Sequence, residues 1–570
     1  MHTIPSPLSY TLTLVKTEAA TGFFACLPPE EMTFEQSLAY VEAHPNDVFM
    51  RQHVLQQIGT WEPSRIHDVL QEYESRQSPL VSVFHEAVFL SARFRKIRKT
   101  LNKERLQRSA EHSPLIHLRA MLLPDHALHK RWIKLFRANM LEHKSLPAPK
   151  EAGMPFPCKA ASAKQETPLP DIKTLRKTII AGPLPATQPR TAPEETARIG
   201  LERLEQLDIV HGPLQRHEAS LSPIALLRQW RLDIRVQSGR HGYTLAGAQT
   251  AYGRGLALEH AMASYVMEIV ERKSSFASFS KTHVEGYLRD HRLAHGSFST
   301  LSKGVTAILD PNVLALEVPY QDEPLHWITG ERTSVNGPEP ILVPAQCVFL
   351  FCNLDERKLF SGLGSTGLAA GNTLEEAKIS ALLEIIERDH ESVTPFDPRQ
   401  CFTVETRDPL LAGLLQNYQK QGICLQFQDL TSAMGVPCCK CFVIDQNQQI
   451  VKGCGAGLNA KRALLSAMTE TPFPFPTESC SAPGLEGLLR VPVENLPDYS
   501  TGNTAADLAL LEAVLAAHGF QPVYVDLTRE DIGLPVVRAM VPGMEIAADF
   551  EWYSRVHPRL FSNYLKMMKL

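Results

Sequence analysis

The sequence predicts an α+β fold in two parts, a mainly α-helical N-terminal domain and a larger domain of pseudo-repeated helix and sheet units. Apolar residues recur at helical spacing through residues 1–145, and the segment 146–185 is rich in proline. From 186 to 570, short apolar runs such as ILVPAQCVFLF alternate with long periodic segments. We therefore predict a helical domain over 1–145, a proline-rich linker over 146–185 and an α+β domain over 186–570.

The helical domain is predicted from the spacing of apolar residues, and the linker is predicted from the density of prolines. In MTFEQSLAYVEAHPNDVFMRQHVLQQI, Leu38 and Val41 lie on one side of a helix that is broken near Pro45. Ten prolines occur from Pro147 to Pro193. Because proline removes a backbone donor and disfavours helix at the residue before it, this stretch is predicted to be a linker.

Composition excludes several classes of protein. The hydrophobic fraction is 44% and the charged fraction is 21%, as in folded globular chains. A net charge of −4 gives no global sign of a nucleic-acid or membrane partner, and no run approaches the roughly 18 apolar residues of a membrane span. The first residues lack the pattern of a secretory signal, and eleven cysteines are typical of free thiols in a reducing compartment. We predict a cytoplasmic protein.

One local run of charge departs from this balance. The segment RFRKIRKTLNKERLQR at 93–108 is strongly basic. We interpret it as a solvated helix face, with docking of an acidic partner, a substrate leader or RNA as the alternative.

An internal repeat is the most informative feature of the chain. LEHAMASYVMEIVER at 258–272 and LEEAKISALLEIIER at 374–388 share the same pattern of leucine, glutamate, alanine and arginine, and RALLSAMTE at 462–470 is a weaker third copy. Each copy follows a glycine-containing segment. A second repeat, QDLTSAMGVPCCKCFV at 428–443 and VDLTREDIGLPVVRAMV at 525–541, predicts a strand–turn–strand unit used twice.

The repeated helices concentrate acidic side chains on one face, since residues three or four apart are neighbours on a helix. A solvated face of glutamate and arginine is the simpler interpretation of either copy alone. If the repeated helices converge, their carboxylates meet in one place. Divalent cations that prefer oxygen ligands would then balance the negative charge. Magnesium usually completes its coordination with water and phosphate, which points to a nucleotide. No Walker A or protein-kinase motif is present in the sequence.

The segments GRGLALEHAMASYVMEIVER, GLAAGNTLEEAKISALLEIIER and GAGLNAKRALLSAMTE resemble, in order, the three ATP-site motifs of the YcaO family. PRTAPEET at 189–196 resembles the segment that opens that family's domain, and VVRAMVPGME at 536–545 resembles its closing strand. The resemblance covers residues 186 to about 550. It implies a YcaO-like fold that binds ATP with several Mg²⁺ ions.

The resemblance also implies roles for individual residues. The metal ligands that it implies are Glu268, Glu271, Glu376, Glu384, Glu387 and Glu470. The nucleotide-binding residues that it implies are Arg190, Thr196, Arg254, Arg272, Asn372 and Arg388. Arg254 stands where the family often has lysine.

The third motif departs from the family pattern. Ser466 stands where the family commonly has arginine, and Phe473 stands where a glutamine often follows. Lys461 or Arg462 is a candidate to supply the missing charge. The departure leaves open an alternative function, that of a catalytically weakened nucleotide-binding scaffold or partner protein.

In the family reaction, ATP phosphorylates a backbone amide oxygen after a nucleophile has added to the amide. The nucleophile comes from the substrate or from a small molecule, so no catalytic nucleophile is predicted in this chain. The product is an azoline, a thioamide or a related group, and some relatives are accessory factors in ribosomal-protein methylthiolation. The expected partners are a peptide or protein substrate and a protein that presents it, and a homodimer is a family-level expectation.

Two further groups are interpreted without a role in chemistry. Cys438, Cys439 and Cys441 alternate as in a strand, and their spacing favours core packing over zinc. Asp389 and His390 are expected to be a surface or helix-end pair, with an acid–base role as the alternative.

Overall fold

The computed structural model describes residues 7–16, 22–75, 78–158, 169–184, 189–304, 306–334, 337–475, 480–545, 550–551 and 553–568. The first part is mainly helical, as predicted, and it also contains two strands. Its elements are β1 (Leu8–Lys16), β2 (Gly22–Leu27), α1 (Phe34–Ala43), α2 (Val48–Gly59), α3 (Pro63–Ser75), α4 (Val81–Leu90), α5 (Arg95–Arg98), α6 (Lys103–Glu111), α7 (His117–Leu122), α8 (His126–Glu142), α9 (Pro149–Ala152) and α10 (Ile172–Ala181).

The later part alternates strands and helices. Its elements are α11 (Pro193–Gln206), β3 (Val210–Arg216), β4 (Ile224–Ser238), β5 (His241–Gly255), α12 (Leu258–Ser275), β6 (Ser278–Phe279), β7 (His283–Glu285), β8 (His291–Arg292), β9 (Ala294–Gly296), α13 (Phe298–Leu301), β10 (Ala307–Ile308), β11 (Leu325–Arg332), β12 (Glu339–Pro344), β13 (Leu368–Ala370), α14 (Leu374–Val393), β14 (Cys401–Glu405), α15 (Pro409–Lys420), β15 (Gln426–Asp429), β16 (Cys438–Ile444), β17 (Ile450–Ala456), α16 (Ala460–Glu470), β18 (Leu489–Pro492), α17 (Thr504–Ala517), β19 (Val523–Asp526), β20 (Val536–Met540) and α18 (Pro558–Met567).

The strands form three sheets. The first has the order β2-β1-β5-β4-β6-β7-β8, with β3 also paired to β4. The second has the order β10-β12-β11-β19-β20-β13, with β9 paired to β11, and the third has the order β17-β16-β15-β14-β18. Helices pack on these sheets, so the architecture is α+β, as the sequence predicts.

The first 145 residues are attached firmly to the later part. Strand β1 runs parallel to β5, and Leu8 pairs with Tyr243. A buried hydrogen-bond network reinforces this junction. Both the Tyr10 hydroxyl and the Asn353 amide donate to the Asp47 carboxylate at 3.0 Å. The strands were not predicted from the sequence, although β1 buries alternate side chains as strands do.

The predicted boundaries near 145 and 186 stay a prediction. Within the proposed linker, α10 is an ordered helix whose Ile172 N–H donates to the Met434 carbonyl at 2.9 Å. Arg176 of the same helix donates to the Tyr499 carbonyl at 2.9 Å. Residues 159–168 and 185–188, which hold part of the proline-rich stretch, lie outside the described residues.

The helix repeat of the sequence appears as three strand–helix units, β5–α12, β13–α14 and β17–α16. In each unit the helix lies so close to its strand that glycine is needed beneath it. A Cβ atom on Gly253 would lie 2.1 Å from the Ala261 carbonyl oxygen, and one on Gly455 would lie 2.1 Å from that of Ala463. These close contacts fix each helix against the strand of its own unit.

The strand–turn–strand repeat is confirmed as well. Strands β15 and β16 form an antiparallel pair in which Asp429 faces Cys439, and β19 and β20 form another in which Asp526 faces Val537. In β16, the side chains of Cys438, Cys439 and Cys441 are buried, as expected for core packing. Over the part of the chain that the structure describes, no helix combines the length and apolarity needed to span a bilayer.

Candidate functional site

A cavity of about 810 Å³ opens where the repeat units meet. Its walls come from the start of α11, the end of β5 with the start of α12, the end of β13 with the start of α14, and one face of α16. The cavity therefore draws on all three copies of the repeated unit, and on the segment before α11.

Five predicted residues line this cavity and most of them contact one another. The Thr196 hydroxyl donates to Asn372 Oδ1 at 3.2 Å, and Asn372 Nδ2 donates to Glu376 Oε2 at 3.2 Å. Arg190 Nε lies 3.6 Å from Glu376 Oε1. Arg254 lines the cavity next to these groups. The predicted nucleotide contacts from three separate segments are thus brought to one place.

The helix starts at the cavity differ in how they are capped. Helix α11 begins after Ala192 and α12 begins after Ala257, and neither residue has a capping side chain. By contrast, Thr373 caps α14 and Asn459 caps α16. Thr191 precedes the N-cap of α11 and lines the cavity. Uncapped N–H groups at a helix start favour an anionic ligand.

Arg254 connects the cavity to the repeated glutamates. Its Nη2 donates to Glu470 Oε1 at 2.9 Å, which joins the end of β5 to the end of α16. On the neighbouring helix α12, Glu268 accepts a hydrogen bond of 2.8 Å from the Tyr252 N–H. The first and third repeat units therefore share one polar cluster.

Each long repeat helix also places an arginine beside its glutamates. On α12, Arg272 Nη1 lies 3.1 Å from Glu271 Oε1, and its Nε lies 3.8 Å from Glu268 Oε1. On α14, Arg388 Nη2 lies 3.5 Å from Glu387 Oε1. The arginines offset part of the acidic charge.

The five clustered glutamates act on one another electrostatically. Burial raises the pKa of Glu271 to about 8, and the charges of Glu384 and Glu268 add to that rise. Burial also raises the pKa of Glu387, with the charge of Glu470 as a further cause. The pKa values of Glu384 and Glu268 are raised too, chiefly by burial. Since these shifts persist beside arginines, an added cation would stabilise the ionised cluster.

The donor set fits Mg²⁺ that arrives with a polyphosphate. In the described ranges, no three histidine, cysteine, aspartate or glutamate side chains are already arranged to hold a metal ion. Magnesium in phosphate sites is usually held by one or two carboxylates, and water and phosphate supply the other ligands. Glu376 stands apart from the five, on the cavity wall with Arg190 and Asn372.

Glu391 and Lys452 belong to this region and were missed from the sequence. Lys452 Nζ lies 2.5 Å from Glu391 Oε1, and Arg388 Nη1 lies 3.4 Å from Glu391 Oε2. Glu387 and Glu391 therefore lie beside different terminal nitrogens of Arg388. Glu391 could have been predicted from the sequence, because it follows Arg388 by three residues and so lies on the same helix face.

Arg538 is a third residue that sequence reasoning missed. It is buried in β20, and it donates two hydrogen bonds of 3.0 Å to the Gly364 carbonyl. Its charge opposes part of the rise that burial causes in the pKa of Glu384. An arginine within the apolar strand VVRAMV was the signal, because a buried arginine needs partners.

The residues that set the third motif apart from the family pattern have different surroundings. Ser466 and Arg462 line the cavity, one helical turn apart. Lys461 Nζ instead lies 2.9 Å from Asp408 Oδ2. Phe473 is buried in the core and does not line the cavity. Of the two cations proposed to compensate for Ser466, only Arg462 faces the cavity.

Asp389 and His390 lie near the end of α14, as expected, but the expectation of a surface location is wrong. Both side chains are fully buried because helix α18 covers this end of α14. Arg559 Nη1 donates to Asp389 Oδ2 at 2.8 Å, and the Glu545 N–H donates to Asp389 Oδ1 at 2.8 Å. Burial lowers the pKa of His390 to about 4. Asp389 therefore ties α18 to α14.

Arginines around a cavity, uncapped helix starts and a neighbouring carboxylate cluster define a protein that binds a polyphosphate with divalent cations. The family model described as YcaO cyclodehydratase, ATP- and Mg²⁺-binding, matches residues 252–472 and 475–545. The chain belongs to the YcaO family. ATP and Mg²⁺ are the cofactors of this family's domain.

Several proteins and solved structures are similar to this chain. An uncharacterised protein of Methanothermobacter thermautotrophicus is 30% identical over 355 residues, which cover 55% of this chain and 87% of that protein. The solved structure of a heterocyclase in complex with substrate and cofactor shares the fold, with a TM-score of 0.50 and 19% identity. That match covers 66% of this chain and 56% of the heterocyclase. YcaO from Methanopyrus kandleri, bound with AMPPCP and Mg²⁺, matches at 23% identity with a TM-score of 0.45, over 62% of this chain and 91% of that one.

Proposed function

We propose that this chain uses ATP and Mg²⁺ to phosphorylate a backbone amide oxygen in a peptide or protein. The product would be an azoline, a thioamide or a related group, or the chain would serve as an accessory factor in ribosomal-protein methylthiolation. The observation that supports this proposal best is the meeting of five glutamates from three repeat helices beside an arginine-lined cavity. Family membership supports the ATP-dependent part.

Within this proposal the two groups of side chains have separate tasks. The residues that hold Mg²⁺ are Glu268, Glu271, Glu384, Glu387 and Glu470, with Glu376 on the cavity wall. The residues that bind and orient the nucleotide are Arg190, Thr196, Arg254, Arg272, Asn372 and Arg388. Magnesium would supply charge neutralisation at the transferring phosphoryl group. Fixed arginines and carboxylates would keep the phosphate chain in one orientation.

The proposed reaction needs no nucleophile from this chain. A heteroatom of the substrate, or of a small donor molecule, adds to the amide carbonyl carbon. The carbonyl oxygen gains the electron pair and takes the γ-phosphoryl group of ATP, which releases ADP. The carbon–oxygen bond then breaks, and the oxygen leaves as part of inorganic phosphate. A presenting partner protein, a homodimer and a cytoplasmic location belong to the same proposal.

The proposal is tested by comparing Glu384→Gln with a matched control on the same helix. Glu375 lies in the exposed first turn of α14, so Glu375→Gln removes one carboxylate away from the cluster. We expect ADP formation in MgCl₂ to be lost in Glu384→Gln and kept in Glu375→Gln. Equal turnover in both variants would contradict the assignment of the cluster.

The amide step has its own test. A pool of synthetic peptides containing cysteine, serine and threonine is incubated with the protein, ATP and MgCl₂, with and without sulfide. Mass spectrometry separates loss of water, expected for an azoline, from replacement of oxygen by sulfur, expected for a thioamide. An oxygen isotope placed in the amide carbonyl of a modified peptide should appear in the released phosphate. Release of unlabelled phosphate would rule out amide phosphorylation.

A catalytically weakened nucleotide-binding scaffold is the second candidate function. Ser466 favours it, because a hydroxyl on the cavity wall replaces the arginine that the family resemblance leads us to expect. Loss of one donor that stabilises transition-state charge lowers kcat by about 10²- to 10³-fold in other enzymes. Tight ATP binding in MgCl₂ without ADP formation, whichever peptide of the pool is added, would support the scaffold.

A further inference from the structure

Arg462 differs from the other two arginines that line the cavity. Arg190 lies 3.6 Å from Glu376, and Arg254 lies 2.9 Å from Glu470. Within the described part of the chain, the guanidinium of Arg462 has no carboxylate within 4.0 Å. It is exposed toward the cavity. Arg462 therefore has its charge and its donors available for a ligand.

The position of Arg462 in its helix adds a second argument. It lies in the first turn of α16, where its backbone N–H donates to Asn459 Oδ1 at 3.0 Å. A cation is unfavourable near a helix N-terminus, because the helix dipole is positive there. The neighbouring cation, Lys461, is offset by Asp408 at 2.9 Å. No acidic residue lies in this turn of α16 to offset Arg462. An anion in the cavity would offset both the charge of Arg462 and the positive end of the helix dipole.

The third argument concerns Ser466, which follows Arg462 by four residues. Positions four apart lie on the same face of a helix, and both residues line the cavity. Side chains on a helix lean toward its N-terminus, so an arginine at 466 would lie over the turn that carries Arg462. A guanidinium at 462 can thus serve the space that a guanidinium at 466 would serve.

We propose that Arg462 binds the phosphate chain of ATP and replaces a guanidinium that position 466 lacks. This inference rests on the part of the proposed function that seats ATP in the cavity, and it does not depend on the peptide reaction. A guanidinium suits phosphate because its planar donors match two phosphate oxygens at once.

The test is a calorimetric titration of the full chain with ATP and, separately, with AMP, both in MgCl₂. We expect Arg462→Gln to weaken ATP binding roughly ten- to hundredfold, as for loss of a hydrogen bond between charged groups. AMP binding should change little, since AMP lacks the distal phosphates. Lys461→Gln is the matched control and should bind both nucleotides like the wild type, because Lys461 is held by Asp408.

A double variant tests the equivalence of the two positions. Arg462→Gln combined with Ser466→Arg should regain most of the ATP affinity lost in Arg462→Gln. Unchanged ATP affinity in Arg462→Gln would overturn the inference, as would equal losses for ATP and AMP. If the double variant binds ATP no more tightly than Arg462→Gln, the claim that Arg462 takes the place of a guanidinium at position 466 would be wrong. Failure of the wild type to bind ATP would instead refute the ATP-dependent proposed function together with this inference.

Discussion

Arg254 Nη2 donates to Glu470 Oε1 at 2.9 Å, and this bond joins residues 216 positions apart in the chain. Arg254 ends the strand of the first repeat unit, and Glu470 ends the helix of the third. Arg254 also lines the cavity, while Glu470 belongs to the carboxylate cluster. One ion pair therefore couples the proposed nucleotide pocket to the proposed metal site.

Two substitutions of Arg254 should show whether its charge or its shape matters for ATP affinity. Arg254→Met leaves Glu470 without its cation and removes a donor from the cavity, so ATP affinity in MgCl₂ should fall about tenfold or more. Arg254→Lys keeps the charge and should retain most of the affinity, although it loses the planar guanidinium. Calorimetry measures both, and Arg198→Met on the exposed face of α11 is the control. A lysine variant as weak as the methionine variant would show that charge is not what matters.

Lys452 and Glu391 are expected to act as positioning residues for Arg388. Glu391 bridges Lys452 and Arg388, so Lys452→Met frees Glu391 and loosens the guanidinium. We expect kcat for ADP formation to fall about tenfold with a smaller change in KM for ATP, and Lys452→Arg to restore most of it. Thermal unfolding measured in parallel shows any cost in stability. A variant with lower stability and unchanged kcat would limit Lys452 to a structural role.

The close contact between strand and helix in the third repeat unit can be tested by adding one methyl group. A Cβ atom on Gly455 would lie 2.1 Å from the Ala463 carbonyl oxygen, and backbone cannot move aside cheaply. Gly455→Ala should lower the free energy of unfolding by about 1–3 kcal/mol. Gly413, in helix α15, has nothing within 4 Å of the same atom. Gly413→Ala should therefore raise stability by about 0.5–1 kcal/mol.

Lys440 gives the protein a pH-dependent stability. It is buried in β16, and burial followed by the charge of Lys452 lowers the pKa of Lys440 to about 8. An unfolded lysine has a pKa of about 10.4. The unfolded chain therefore binds more protons than the folded chain, and the penalty of burying Lys440 is full below about pH 8. That penalty disappears as the pH rises toward the unfolded pKa.

Lys440→Met should raise the free energy of unfolding at neutral pH by up to about 3 kcal/mol. The difference from the wild type should shrink between about pH 8 and about pH 10.4. Urea titrations at several pH values measure it, with the exposed Lys420→Met as control. A constant difference across this range would show that the titration of Lys440 is not its source.

The sequence predicted those parts of the molecule that depend on local spacing. The strand–helix repeats follow from glycine segments and helical periodicity, and they bring Arg190, Thr196, Arg254, Asn372 and Glu376 to one cavity. Contacts between distant segments were not predictable in this way. Helix α18 buries Asp389 although nothing near that residue in sequence signals it. Strand β1 was overlooked because it precedes a long helical region and its partner β5 lies more than 200 residues later.

The carboxylate cluster leads to a last prediction, concerning Mg²⁺. Burial and the neighbouring carboxylates raise the pKa values of Glu271 and Glu387, so ionising the cluster beside a polyphosphate anion is unfavourable when no cation is present. ATP should therefore raise the melting temperature in MgCl₂ and have little effect in EDTA. A ligand at about a hundred times its dissociation constant stabilises a protein by about 2.7 kcal/mol, which is measurable by thermal unfolding.

MgCl₂ alone is expected to have a small effect, because the described carboxylates do not already form a metal cage. Magnesium and ATP should thus stabilise the protein together by more than the sum of their separate effects. Glu387→Gln should reduce this cooperative term, since it removes a carboxylate whose charge only a cation can offset. Glu375→Gln, with its exposed side chain on the same helix, should leave the term unchanged. An equal shift with ATP in EDTA and in MgCl₂ would mean that the nucleotide binds without the cluster, and the metal assignment would then be wrong.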